Sequence, residues 1–139
     1  MKEFVLQGRG VFAGTAEAEA LVCPESIQGW AGIDDQTGKI IERGHSQEGK
    51  SITGKILVLP CSKGSNGWSC HFHSAAVKGE IPAGWIFTKL DSRAGVATAV
   101  LKIPTASDFG DVDPCAVIQT GDLLRMDGTT GTVYVSRKN

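Results

Sequence analysis

Residues 56–69 read Ile56-Leu57-Val58-Leu59-Pro60-Cys61-Ser62-Lys63-Gly64-Ser65-Asn66-Gly67-Trp68-Ser69. Four apolar, β-prone residues stopped by proline have the form of a buried central strand. A loop of small and polar residues follows. Trp68 to Lys78 then has the make-up of a helix, closed by Gly79 in the position after its end. A helix start of this kind turns backbone N–H groups outward, where they favour anions. Ser62, Ser65 and Ser69 add hydroxyls and Lys63 adds a positive charge. The corner could hold a carboxylate or phosphate, or lower the pKa of a serine hydroxyl to make it a base or nucleophile. A polar strand-to-helix turn with a serine cap accounts for the same residues equally well. The phosphate-binding loop GxxxxGK[ST] is excluded, because here the lysine precedes the glycine.

Working outward, Phe4-Val5-Leu6 starts a short strand that ends in Gly8 and Gly10. Ala16 to Val22 alternates apolar residues with Glu17 and Glu19, as a strand with one wet face does. Trp85-Ile86-Phe87 and Val96-Ala97-Thr98-Ala99-Val100 read as further buried strands, the second closed by Ile103-Pro104. Pro114 to Ile118, Leu123 to Met126 and Thr132 to Val135 follow as short strands at hairpin spacing, with Asp127-Gly128 as a turn. The expected fold is α+β and mainly β, with one helix near its middle. Residues 1–139 are read as one domain, since about 100–200 residues usually make one.

Hydrophobic residues make up 41% and charged residues 21%, the balance of an ordinary soluble globule. Fourteen basic residues against fifteen acidic ones give a net charge of -1. No basic excess points to nucleic acid or to a membrane surface. No apolar stretch approaches the roughly 20 residues of a membrane span, and no signal-peptide core precedes Gly8. The expected location is the cytoplasm, with Cys23, Cys61, Cys70 and Cys115 reduced.

None of the cysteines forms a CxxC pair. Cys61, Cys70, His71 and His73 crowd one segment, but residues two apart on a helix do not share a face, which separates the histidines. No metal is therefore expected on this chain. Glu17 and Glu19 share a strand face and are expected to be exposed. Asp34 and Asp35 suit a turn better than acid–base work, and Trp30 serves a pocket wall or the core equally well.

Several motifs, taken in order, resemble the aconitase X small-subunit family. Gly29-Trp30-Ala31-Gly32-Ile33-Asp34 with Thr37-Gly38 and Ile40-Ile41 is similar to its "WGGxD…TGxII" signature. Gly54-Lys55-Ile56 through Pro60, with Gly64-Ser65 and Ser69, resembles its "GKxxxxPxGxGSxxxS" segment. Gly79 to Ala83, Ala94 to Ala97, Thr120-Gly121-Asp122 and Asp127-Gly128 resemble later motifs of that family. The resemblance implies a swivelling β/β/α domain with a barrel-like core. It implies a hydro-lyase that works only with a large catalytic subunit of roughly 400 residues, which carries an iron–sulfur cluster on its own cysteines. The site would form between the two chains, and the reaction would be dehydration of a small hydroxy acid. The family's substrates are cis-3-hydroxy-L-proline, expected here, and mevalonate 5-phosphate. Ser65 matches the family's proton acceptor, with Ser62, Lys63, Gly64, Asn66 and Ser69 around the substrate. A non-catalytic anion-binding or assembly subunit is the competing expectation. This sequence departs from the family at Ser62, where a glycine is usual, at Ala31, and in the Trp68 to His73 helix start.

Overall fold

The computed structural model describes residues 2–28, 32–63 and 68–138. The strands are β1 (Lys2–Gln7), β2 (Arg9–Phe12), β3 (Thr15–Val22), β4 (Ile56–Leu59), β5 (Gly84–Phe87), β6 (Thr105–Ser107), β7 (Leu123–Asp127) and β8 (Thr132–Arg137). The helices are α1 (Trp68–Val77), α2 (Ser92–Leu101) and α3 (Pro114–Val117). The strands form one sheet in the order β1-β8-β7-β3-β4-β5-β6-β2, which curls into a half-barrel.

β3 joins two kinds of pairing. Its first half, Thr15 to Glu19, lies antiparallel to β7, and Ala20 to Val22 lie parallel to β4. Burial follows: exposed and partly buried residues alternate up to Glu19, then Ala20, Leu21 and Val22 are all buried. An antiparallel edge leaves one face in water, whereas a parallel strand is covered on both. Glu17 and Glu19 are exposed.

Period-2 alternation then sorts side chains into two cores. Leu57 and Leu59 of β4 and Trp85 and Phe87 of β5 point toward α1 and α2. Ile56, Val58 and Ile86 point into the half-barrel with Leu124, Met126, Val133 and Val135. On the helix side the rings of Trp68, Phe72, Trp85 and Phe87 pack together, with Trp68 and Phe72 centroids 4.6 Å apart and Trp85 and Phe87 stacked at 5.4 Å.

Fold class, β1, β3, β4, β5, β7, β8 and α1 follow the sequence expectations. Gly79 has φ 87° after α1, the left-handed position glycine takes at low cost. Three expectations are corrected. Val96 to Val100 is the middle of helix α2, not a strand. Ala94, Ala97, Thr98 and Leu101 are its buried residues, a helical spacing that outweighs the β-branched composition. Pro114 to Ile118 is not a strand either. Asp113 caps α3 by accepting from the Cys115 N–H, and Pro114 fits the first helical turn, where no N–H is needed. The chain also does not leave the sheet at Gly8 and Gly10, since β2 continues through Arg9–Phe12 and pairs with β6. The middle of the chain therefore carries two crossover helices where one was expected, each linking parallel neighbours of the sheet.

Candidate functional site

The carboxyl ends of β3, β4 and β5 lie side by side, the place where open parallel sheets hold ligands. The chain leaving β3 stays beside the chain leaving β4. The Cys23 N–H donates to the Val58 carbonyl at 2.8 Å, Ser26 Oγ donates to the Cys61 carbonyl at 2.5 Å, and Gln28 forms a parallel bridge with Lys63. The chain leaving β5 joins from the other side through Thr88 and Lys89, whose N–H groups donate to the Leu59 and Pro60 carbonyls.

Buried groups hold the approach from β3. Nδ1 of His45 accepts from the Gln47 N–H at 3.0 Å. Nε2 therefore carries the proton and donates to the Ser26 carbonyl at 2.6 Å. Ser26 has φ 62°, a conformation that a non-glycine residue keeps only when its surroundings enforce it. A Cβ on Gly32 would lie 2.0 Å from the Gln28 carbonyl oxygen, so only glycine permits this close approach. Asp34 Oδ1 accepts from the Gln36 N–H, a turn bond, while Asp35 accepts from Ser74 Oγ of α1 and pairs with Lys78 just after it.

The site segment begins at Ser62, which is nearly buried. Its N–H donates to Asp91 Oδ1 at 3.0 Å and its Oγ donates to Asp91 Oδ2 at 2.5 Å. Burial alone would raise the Asp91 carboxyl, but the bonds from Ser62, helped by the Asp91 and Arg93 backbone N–H groups, outweigh it and hold the group below its ordinary range. Lys63 Nζ lies 2.5 Å from Glu42 Oε2, and Glu42 Oε1 accepts from the Gln28 N–H at 2.7 Å. Those contacts likewise overcome burial and keep the Glu42 carboxyl low. Beyond the segment, Trp68 opens α1, fully buried, with its Nε1 donating to the Ile27 carbonyl at 2.7 Å. Ser69 is nearly buried in the first turn of α1.

Ser62 and Lys63 lie on the chain leaving β4, and Ser69 lies in the first turn of α1. Gly64, Ser65 and Asn66 lie outside the described residues, as do Gly29, Trp30 and Ala31. Trp68, a departure from the family pattern, is a core residue. Asp91 and Glu42 were not among the candidates read from the sequence. Each sits more than twenty residues from its partner, and only the pairing of β4 with β5 and the fold of the β3–β4 connection bring them near. The one local signal was Asp91 ahead of a helical spacing, an N-cap pattern.

Cys70 and His73 are exposed on α1, and a His71 ring nitrogen lies 2.8 Å from the Ile33 carbonyl oxygen. Among the described residues no three His, Cys, Asp or Glu side chains gather as a metal site. Burial pushes the Cys23 thiol up to about 12 and the Cys115 thiol up to about 11, the opposite of what a thiolate ligand needs. Among the described residues the cysteines do not come together as the ligand set of an iron–sulfur cluster. No helix among the described residues is long and apolar enough to cross a membrane.

The phosphomevalonate dehydratase small subunit of Methanocella arvoryzae is 32% identical over 131 residues, covering 94% of this chain and 98% of that protein. The protein of the same name from Pyrococcus furiosus is 32% identical over 130 residues, covering 94% of each. The holo-form crystal structure of Thermococcus kodakaraensis aconitase X superposes with a TM-score of 0.88 at 28% identity, covering 96% of this chain and 99% of that one. The model of the aconitase X swivel domain matches residues 5–135, and the chain belongs to that family.

Proposed function

We propose that this chain is the small subunit of a heteromeric hydro-lyase of the aconitase X type, which removes water from a small hydroxy acid. Ser65 is its proton acceptor, and a large partner subunit completes the site and carries the iron–sulfur cluster. The observation that carries this reading is the anchoring of the site segment at both ends. Ser62 is held by Asp91, and Trp68 is held by Ile27 and the aromatic core. Ser65 stands in the sequence between these fixed points, ahead of the N-terminus of α1, whose N–H groups favour negative charge. A serine oxygen that takes a proton from the carbon beside a carboxylate needs such polarisation. The relatives named as small subunits support a partner chain.

For the substrate, cis-3-hydroxy-L-proline is the first reading. Lys63, the one basic side chain between Cys61 and Ser69, is already neutralised by Glu42, which leaves little here to attract a phosphate dianion. Mevalonate 5-phosphate is the second reading, supported by the names of the relatives.

The test is anaerobic co-purification of the chain with its large partner, followed by assays on both substrates. Turnover of the hydroxyproline supports the first reading, and turnover of the phosphorylated acid alone replaces it with the second. Ser65→Ala is expected to leave assembly intact and lower kcat by about 100-fold or more. A near-normal maximal rate in that variant, with only a raised KM, would make the chain a binding or assembly subunit instead.

A further inference from the structure

We propose that Asp91 is a positioning residue for this site, acting through Ser62; the inference rests on the functional reading above. Asp91 occupies the N-cap position of α2, with extended backbone at φ -100° and ψ 173°. An aspartate at that position ordinarily turns its carboxylate onto the first N–H groups of its own helix. Here the side chain makes no capping hydrogen bond to α2. Both oxygens reach across to Ser62, one for its N–H and one for its hydroxyl. The carboxylate's two hydrogen bonds therefore go to the segment that leaves β4, while the Arg93 N–H at the start of α2 only helps keep it ionised.

Two consequences follow for the chemistry. First, a two-point hold fixes both the position and the rotation of Ser62. That fixes the chain at a point three residues before Ser65 in the sequence. Small displacements of a reacting group cost large factors in rate. Second, Ser62 has spent both of its donors. What its side chain can still offer a substrate is an acceptor for an N–H or O–H, not a donor for a carboxylate or phosphate. A serine here, where the family's pattern has glycine, supplies the hydroxyl that makes the second bond to Asp91 possible.

The experiment uses the assembled two-subunit enzyme with Asp91→Asn, Asp91→Glu, Ser62→Ala and the Asp91→Asn/Ser62→Ala double variant. Asp91→Asn is expected to lower kcat by about 10- to 100-fold while KM moves by less than about twofold. Asp91→Glu keeps the charge and recovers part of that loss. Because Asp91 acts through Ser62, the double variant is expected to be no slower than the worse single variant. Multiplying effects in the double variant, or a change confined to KM, would overturn the proposal.

A second measurement does not need turnover. The Ser62 amide in the complex is expected to be protected from hydrogen exchange, and to lose that protection in Asp91→Ala, which removes both acceptor oxygens. Equal exchange in the two proteins overturns the proposal. If the unmodified complex dehydrates neither substrate, the functional reading fails, and the exchange comparison alone decides whether Asp91 holds the segment.

Discussion

Glu42 clamps Lys63 against the chain leaving β3: one carboxylate oxygen meets the ammonium at 2.5 Å and the other accepts the Gln28 N–H at 2.7 Å. Glu42→Gln keeps an acceptor for Gln28 but removes the countercharge. The freed ammonium is expected to raise the affinity of the isolated chain for inorganic phosphate by about tenfold, the scale of one charge-assisted hydrogen bond. Calorimetric titration of both proteins checks this. Unchanged affinity would mean that Lys63 does not face the ligand space.

Trp68 anchors the other end of the segment. Trp68→Ala would leave a cavity among Phe72, Trp85 and Phe87 and strip the Ile27 carbonyl of its donor. A loss of about 3–5 kcal/mol in unfolding free energy is expected. Trp68→Phe should cost less than half of that, because it keeps most of the packing and loses the hydrogen bond. Urea denaturation of the three proteins measures the order.

Asp122 and Arg137 form a two-pronged pair at 2.8 Å that ties β8 to the turn before β7. Burial pushes the Asp122 carboxyl up, but Arg137 and the Gln119 N–H outweigh it and hold it below its ordinary value of 3.8. A carboxyl lowered in the folded state contributes stability above its unfolded pKa and loses it as pH falls through the folded one. The stability curve should therefore decline below about pH 4, and Asp122→Asn should flatten that decline. At neutral pH the same substitution is expected to cost about 2–3 kcal/mol. A pH series of denaturation midpoints reads both.

The four thiols differ in access. Cys70 is exposed on α1, Cys61 and Cys115 are half-buried, and Cys23 is buried. Iodoacetamide at about pH 8 should alkylate Cys70 first. Cys23, its thiol pushed up to about 12 by burial, should react only in denaturant. Peptide mass spectrometry at timed intervals distinguishes the sites. Early labelling of Cys23 would contradict the packing of the helix-side core.

What could be read from residues alone was what neighbours in the chain decide. Ile56 to Leu59 ahead of Pro60, the Glu17 and Glu19 alternation, and Gly79 at a helix end are all local signals, and all hold. Val96 to Val100 reads as a strand by its β-branched residues, whereas the spacing of Ala94, Ala97, Thr98 and Leu101 is that of a helix. β6, with three residues, carried too little pattern to detect. The candidate corner was legible because strand, loop and helix are consecutive there. Its two acidic supports were not. Asp91 approaches Ser62 only once β4 and β5 pair, and Glu42 approaches Lys63 from the long connection between β3 and β4.

β3 belongs to both halves of the sheet, and through Leu21 on one face and Ala20 and Val22 on the other it contributes to both cores. Releasing its last three residues would expose apolar surface in both cores at once, break the pairing to β4 on one edge and break the Ala20 bonds to Gly121 and Asp122 on the other. The half-barrel and the helix layer therefore lack independent melting behaviour. A lesion in either is felt as a shift in one common transition, and heat or denaturant should dismantle the chain in a single step rather than layer by layer.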